Sequence, residues 1–222
     1  MHQQIGKRIF VYFLLFLIVT SINNINLSKI KFNKVKNINI SGLNNLDSEI
    51  ISRDLKNINL ENIFFINKDK ITKIIDSNSL VEEFKVIKNY PSTLNIEIQK
   101  TIFLAKINKD DKIFIIGSNG KLSKNDVTKN LPYIFGNPEI LEFIKIKKII
   151  ESSKISYDTI KNLYFFKSGR WDIELKNNIL IKLSKNNLQE SLDNAFEFMK
   201  DINFQNITII DARIKNKIIL NG

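Results

Sequence analysis

The sequence predicts an α+β protein: an N-terminal transmembrane helix, a first unit in the order β-α-α-β-β, and a second mixed α/β domain with a largely antiparallel sheet. Three observations carry this. Residues 88–100, KNYPSTLNIEIQK, set Leu94, Ile96 and Ile98 on one side and Asn95, Glu97 and Gln99 on the other, the alternation of a half-buried strand. Two apolar stripes at helical spacing, Ile50, Ile51, Leu55 and Ile71, Ile74, Ile75, stand before it. An uninterrupted apolar run follows the basic pair Lys7 and Arg8 near the start.

That run comprises Ile9, Phe10, Val11, Tyr12, Phe13, Leu14, Leu15, Phe16, Leu17, Ile18 and Val19, and Thr20, Ser21 and Ile22 extend it. A helix from Ile9 to Ile22 covers about 21 Å, short of the roughly 30 Å hydrocarbon core. Ile5 and Ile25 bring it close to spanning, with Lys7 and Arg8 snorkelling to the interface. A cleaved signal peptide shares the basic start but needs small residues before the cut, and Val19-Thr20-Ser21 make a poor site. The expectation is therefore an uncleaved anchor over residues 9–25, a short cytoplasmic tail over 1–8 and a linker over 26–33. The bulk of the chain then lies outside the inner membrane.

The first folded unit is placed at residues 34–107. Lys36 to Ile40 alternates as a strand that ends in the turn residues Gly42, Asn44 and Asn45. Asp47 is expected to cap the first helix and Asn67 the second. Phe84, Val86 and Lys88 form the next strand, Tyr90-Pro91 the turn, and the alternating stretch the third strand. Both helices should pack on one face of this small sheet. Residues 101–107, TIFLAKI, are less regular.

The second unit is placed at 108–222. Lys112 to Ile116 reads as a strand, and Gly117-Ser118-Asn119-Gly120 as a hairpin turn. Pro138 can begin a helix reaching about Ser153, apolar on more than one side. Residues 169–183, GRWDIELKNNILIKL, form a hairpin turning at Lys176-Asn177-Asn178. A helix over Leu188 to Lys200 carries Leu192, Ala195, Phe196 and Met199 inward, and two more strands close the chain. Trp171 reads first as a core aromatic, and Asp211 and Arg213 alternate on one strand face, where they can pair with neighbouring residues.

Composition limits the chemistry. There is no cysteine, and the single histidine is His2, so thiol nucleophiles, histidine bases and Cys/His metal sites have no candidates. The acidic pairs Glu82–Glu83 and Asp110–Asp111 are adjacent in sequence, so on a strand they diverge to opposite faces; both read as solvated strand ends or turns. The net charge of +11 raises nucleic acid or an anionic membrane surface as a partner, but the chain holds only Arg8, Arg53, Arg170 and Arg213 as arginines among many lysines. That is a compositional bias, not a patch built for phosphates or guanines. Catalytic, cofactor-binding and metal residues are therefore assigned to none, and neither nucleic acid nor a small-molecule substrate is expected.

The β-α-α-β-β order, the opening around Val35, Asn39-Ile40 and Ser41-Gly42, the NIF step at 62–64 and the YPSTLNIEI hairpin resemble a POTRA module. Set just after one anchor, and followed by LPYIFG at 131–136, Arg170-Trp171-Asp172 and Asp211-Ala212-Arg213, the chain resembles the FtsQ (DivIB) family of bacterial cell-division proteins, alphaproteobacterial type. The family's usual glutamate and proline after the hairpin are replaced by Lys100 and Phe103-Leu104-Ala105. The aromatic after the late arginine is Ile214 here. The resemblance implies a single-pass inner-membrane scaffold at the division septum, contacting other division proteins through the POTRA unit. It also implies that the C-terminal region receives the periplasmic part of FtsB and, through it, FtsL. A closing strand can accept a partner strand on its outer edge. The expected docking residues are Arg213, Ile214, Lys215, Asn216, Lys217, Ile218, Ile219 and Leu220, with Arg213 meeting a partner carboxylate and Arg170 as a second contact. The competing expectation is a POTRA chaperone-like module for outer-membrane protein assembly, against which stands the lack of a following run of amphipathic barrel strands.

Overall fold

The computed structural model describes residues 2–22, 34–57, 60, 63–124, 130–201 and 207–221. The expected linker and residues 23–25 of the expected anchor lie outside these.

Helix α1 (His2–Ile22) holds the N-terminal apolar run. Every residue from Ile9 to Val19 is between 45% and 68% exposed, so no face of this stretch is buried against the other described residues. Among the described residues no helix is long and apolar enough to cross a membrane. The continuous apolar stretch Ile9–Val19 measures only about 16 Å along the axis, so the helix is present but the full-length span expected for it is not shown.

The first layer consists of β1 (Asn37–Ser41), α2 (Asn45–Asn57), α3 (Lys68–Ser77), β2 (Val81–Asn89) and β3 (Thr93–Lys100). The sheet order is β1-β3-β2, with β1 parallel and β2 antiparallel to the central β3. Leu94, Ile96 and Ile98 of β3 are buried against Ile51, Leu55, Ile71 and Ile75 from the two helices. Each such burial is worth roughly 1.5–3 kcal/mol. The alternation in β3 is thus the floor of this core. Asn67 caps α3, its side chain accepting from the Lys70 N–H at 3.2 Å. The cap of α2 is Asn44, whose Oδ1 accepts from the Asp47 N–H at 2.8 Å. Asp47 instead sits in the first turn, where its charge favours the positive end of the helix dipole.

The second layer is one nine-stranded sheet: β4 (Phe103–Lys109), β5 (Lys112–Gly117), β6 (Leu122–Ser123), β7 (Tyr133–Phe135), β8 (Ile160–Phe165), β9 (Trp171–Leu175), β10 (Leu180–Leu183), β11 (Ile209–Ile214) and β12 (Lys217–Asn221). Its order is β12-β11-β10-β9-β8-β7-β4-β5-β6. Five of the eight pairings are antiparallel; β4–β7, β7–β8 and β10–β11 are parallel. The last two parallel pairs are bridged by α4 (Ile140–Ser152) and α5 (Leu188–Asp201), the crossover that parallel strands require. Phe143, Ile146 and Ile150 of α4 and Leu192 and Ala195 of α5 bury against Ile134, Leu163, Trp171, Ile173, Ile181 and Ile210. Trp171 is a core residue, its ring 4.8 Å from that of Phe165. The helix begins at Ile140 rather than Pro138, with the Glu142 side chain accepting from the Glu139 N–H.

Two features depart from the sequence reading. Residues 103–109 form a strand between β7 and β5, so the expected unit boundary at 107 cuts through a strand of the second sheet. Strand β8, in the middle of the sheet, was not expected at all. The two layers are tied at this junction. Glu82 Oε2 accepts from Thr101 Oγ1 at 2.9 Å and Ser118 Oγ at 2.6 Å. Asn119 Nδ2 donates to the carbonyls of Ser79 (3.1 Å) and Val81 (2.8 Å). The glycine-rich turn over 117–120 therefore bolts one sheet to the other.

Candidate functional site

Among the described residues, strand β12 occupies one end of the nine-stranded sheet and pairs only with β11. Its other side is an edge where every second residue presents an N–H and a C=O that no described strand receives. The β11–β12 hairpin turns at Lys215-Asn216, and Asn216 takes the left-handed conformation at φ 58° that asparagine tolerates. The register shifts between Asp211 and Ile214, an irregularity that twists an edge strand locally.

The expected docking residues do not form one strand. Arg213 and Ile214 end β11, Lys215 and Asn216 make the turn, and Lys217, Ile218, Ile219 and Leu220 lie on β12. Ile218 packs half-buried against the core, whereas Ile214, Ile219 and Leu220 are 53%, 44% and 40% exposed. Ile219 and Leu220 thus leave apolar surface exposed on opposite faces of the edge strand, beside the exposed Lys217 that begins it. Among the described residues neither Lys215 nor Lys217 has an ion-pair partner.

Both arginines are engaged within the chain. Arg213 Nε donates to Asp211 Oδ1 at 2.8 Å and Oδ2 at 3.0 Å, and Nη2 adds a further bond to Oδ2. These hydrogen bonds hold the Asp211 carboxyl below the usual carboxylate range. Arg170 donates through Nε (3.1 Å) and Nη2 (3.2 Å) to Asp172 and stacks 4.2 Å over the Phe166 ring. Asp172 is 2% exposed; burial pushes its carboxyl up, partly opposed by Arg170 and the Leu183 N–H. The register aligns Asp172 with Lys182 and Lys182 with Asp211, a row of alternating charge that runs across β9, β10 and β11 and meets Ile219 on the edge strand. Farther in, Glu174 accepts from Lys161 Nζ (2.8 Å), Tyr164 Oη (2.6 Å) and Asn162 Nδ2 (2.8 Å), which bring its carboxyl down to about 2. Lys182 and Glu174 belong to no motif in the sequence; their signal is the polar alternation of β9 and β10, Asp172 and Glu174 on one strand and Lys182 on the other.

The residues set aside as non-catalytic sit as turns and joints. Asp110 and Asp111, both at positive φ (51° and 58°), make the tight β4–β5 turn. Glu82 faces the inter-sheet joint while Glu83 is exposed. Among the described residues no group of three or more His, Cys, Asp or Glu is placed to hold a metal ion.

Comparison with known proteins covers both layers. Residues 33–100 match the family model "POTRA domain, FtsQ-type", and residues 105–213 match "Cell division protein FtsQ/DivIB, C-terminal". The second match stops at Arg213, before β12. Cell division protein FtsQ of Rickettsia bellii is 27% identical over 188 residues, covering 83% of this chain and 70% of that protein. Cell division protein DivIB of Bacillus subtilis is 28% identical over 162 residues (72% and 59%). DivIB of Clostridium botulinum strain Loch Maree is 35% identical over 133 residues (58% and 50%). The solved extracytoplasmic domain of DivIB from Geobacillus stearothermophilus aligns over 46% of this chain and 98% of that one, at 9% identity and a TM-score of 0.32, a superposition too loose to bear on the fold.

Proposed function

The chain belongs to the FtsQ/DivIB family of cell-division proteins, and on that premise we propose that it is an adaptor of the division complex that holds a partner polypeptide by main-chain hydrogen bonds along the outer edge of β12. The observation that carries this is the position of β12: last in the sheet, with Ile219 and Leu220 exposed and one flank open among the described residues. Strand addition there draws affinity from the backbone and specificity from alternate side chains, so no catalytic group takes part. The partners this reading names are the periplasmic parts of FtsB and FtsL, with the POTRA unit contacting further division proteins. Helix α1 is the single-pass anchor in the same proposal. An eleven-residue stretch apolar on all sides and exposed on every side among the described residues suits lipid better than water, with Lys7 and Arg8 at its cytoplasmic end. The remainder then stands in the periplasm at the septum.

The test is a pair of variants, Ile218→Pro and Ile219→Pro. Successive N–H groups of a strand point to opposite flanks, so one of the two prolines removes an outward donor and the other an inward one. The outward variant is expected to keep the circular dichroism of the parent and to lose partner binding. Parental binding by both would remove the edge from consideration.

A further inference from the structure

We infer that one corner of the POTRA unit docks on the anionic membrane surface, which holds the unit down against the bilayer. This rests on the anchor reading above and extends it to a second, reversible contact. Three large aromatics are exposed at this corner: Phe64 at 50%, Phe65 at 79% and Tyr90 at 58%. Phe64 and Tyr90 stack with ring centroids 4.7 Å apart, which fixes them as one patch. Lys88 Nζ donates to the Phe64 carbonyl at 3.4 Å. Lys88 also lines, with Lys68 and Lys85, a groove of about 410 Å³ whose walls include Phe84 and Ile66. The lining contains three lysines and no carboxylate. Exposed apolar rings with one amphipathic ring, Tyr90, beside lysines suit a membrane–water interface, and a carboxylate-free group of lysines suits phosphate-bearing headgroups.

The chain's own path supplies the occupant. Lys36 donates its N–H to the Ser92 carbonyl, and Val35 to that of Leu60, so the chain enters the unit beside the Tyr90 turn and Leu60. From the end of α1 at Ile22 to Lys34 is twelve residues, at most about 40 Å of extended chain. The aromatic corner is thus the part of the unit tethered nearest the lipid. Lys34 and Lys36, both exposed, add charge of the same sign on that path.

The absence of cysteine from the sequence makes the test direct. Phe65→Cys and, as control, Leu141→Cys on α4 (75% exposed in the parent) are labelled with an environment-sensitive fluorophore in the full chain. The chain is reconstituted in vesicles of phosphatidylcholine with phosphatidylglycerol, or of phosphatidylcholine alone, carrying a lipid-borne spin-label quencher. Position 65 is expected to shift to the blue and to be quenched in the anionic vesicles, and position 141 to be unaffected. Each lysine at an anionic surface is worth about fivefold in such an equilibrium, so Lys68→Gln, Lys85→Gln and Lys88→Gln together are expected to lower the docked fraction by roughly 100-fold. Vesicle flotation separates the two ideas. A chain that fails to float overturns the anchor. A chain that floats with position 65 no more quenched than position 141 overturns the docking and leaves the anchor standing. Protection of position 65 only on adding a protein partner also overturns it.

Discussion

Replacing Arg170 by alanine strands the carboxylate of Asp172. That carboxylate is 2% exposed and takes two of its three hydrogen bonds from the guanidinium, the third being the Leu183 N–H at 3.4 Å. Breaking a buried pair from one side generally costs about 3–5 kcal/mol, because the remaining charge keeps its desolvation penalty. Here the Leu183 N–H stays and Lys182 lies directly across the strand pair, so the loss should be about 2–3 kcal/mol. The pH dependence identifies the cause. Burial already raises Asp172 above its ordinary value, and Arg170 supplies the leading opposing contributions, so the variant's carboxyl rises further. A carboxyl raised in the folded state holds its proton more tightly there than in the unfolded chain. Its cost is therefore full at neutral pH, shrinks as pH falls through the folded value and is gone below the unfolded one. Urea denaturation in mild detergent, followed by the emission of Trp171, the single tryptophan, reads the core next to this pair. Adding Asp172→Asn to Arg170→Ala should recover a large part of the loss. A deficit under about 0.5 kcal/mol, or one that is constant from neutral pH down to about 4, would refute the stranded-charge reasoning.

Glu174 should behave in the opposite sense. Its carboxyl is lowered to about 2 in the folded state, first by the Lys161 hydrogen bond, so the stability it contributes is complete above the ordinary carboxylate value and drains away as pH falls toward 2. The melting-temperature gap between the parent and Glu174→Gln should close over that window; a gap unchanged by acid would contradict it. Gly42 ends β1 at φ +94°, and a Cβ there would stand 1.7 Å from the Ile98 carbonyl oxygen of β3. Gly42→Ala is accordingly expected to cost about 2 kcal/mol or more, and a neutral result in thermal denaturation would show that the β1–β3 pairing is looser than described.

Most of the layer architecture was legible because it was written in short-range patterns. Period-two alternation fixed β3, β9 and β10, and helical stripes fixed α2, α3 and α5. β4 and β8 were harder because their neighbours are distant in sequence. The run Phe103-Leu104-Ala105 breaks alternation where β4 shifts register against β5, and β8 mixes Lys161 and Asn162 with Leu163 and Tyr164 because its helix-free face is polar. The cap of α2 was misplaced by three residues since Asn44, Asn45 and Asp47 all have the side-chain chemistry to cap, and only backbone geometry selects Asn44. The docking residues were read as a single edge. In the fold they divide between a strand end, a turn and the edge strand, and Arg213 already spends its fork on Asp211. The LPYIFG step has its reason too: Gly136 adopts φ +92°, and a Cβ there would come within 2.2 Å of the Phe165 carbonyl.

Amide hydrogen exchange on the full chain in detergent, with and without the periplasmic part of FtsB, tests the docking edge most directly. Outward-facing amides of Lys217–Asn221 meet no strand among the described residues and should slow by about tenfold or more in the complex, while β6 at the opposite end of the sheet is unchanged. Protection that appears at Leu122–Ser123 instead, or nowhere along β12, would place the partner elsewhere.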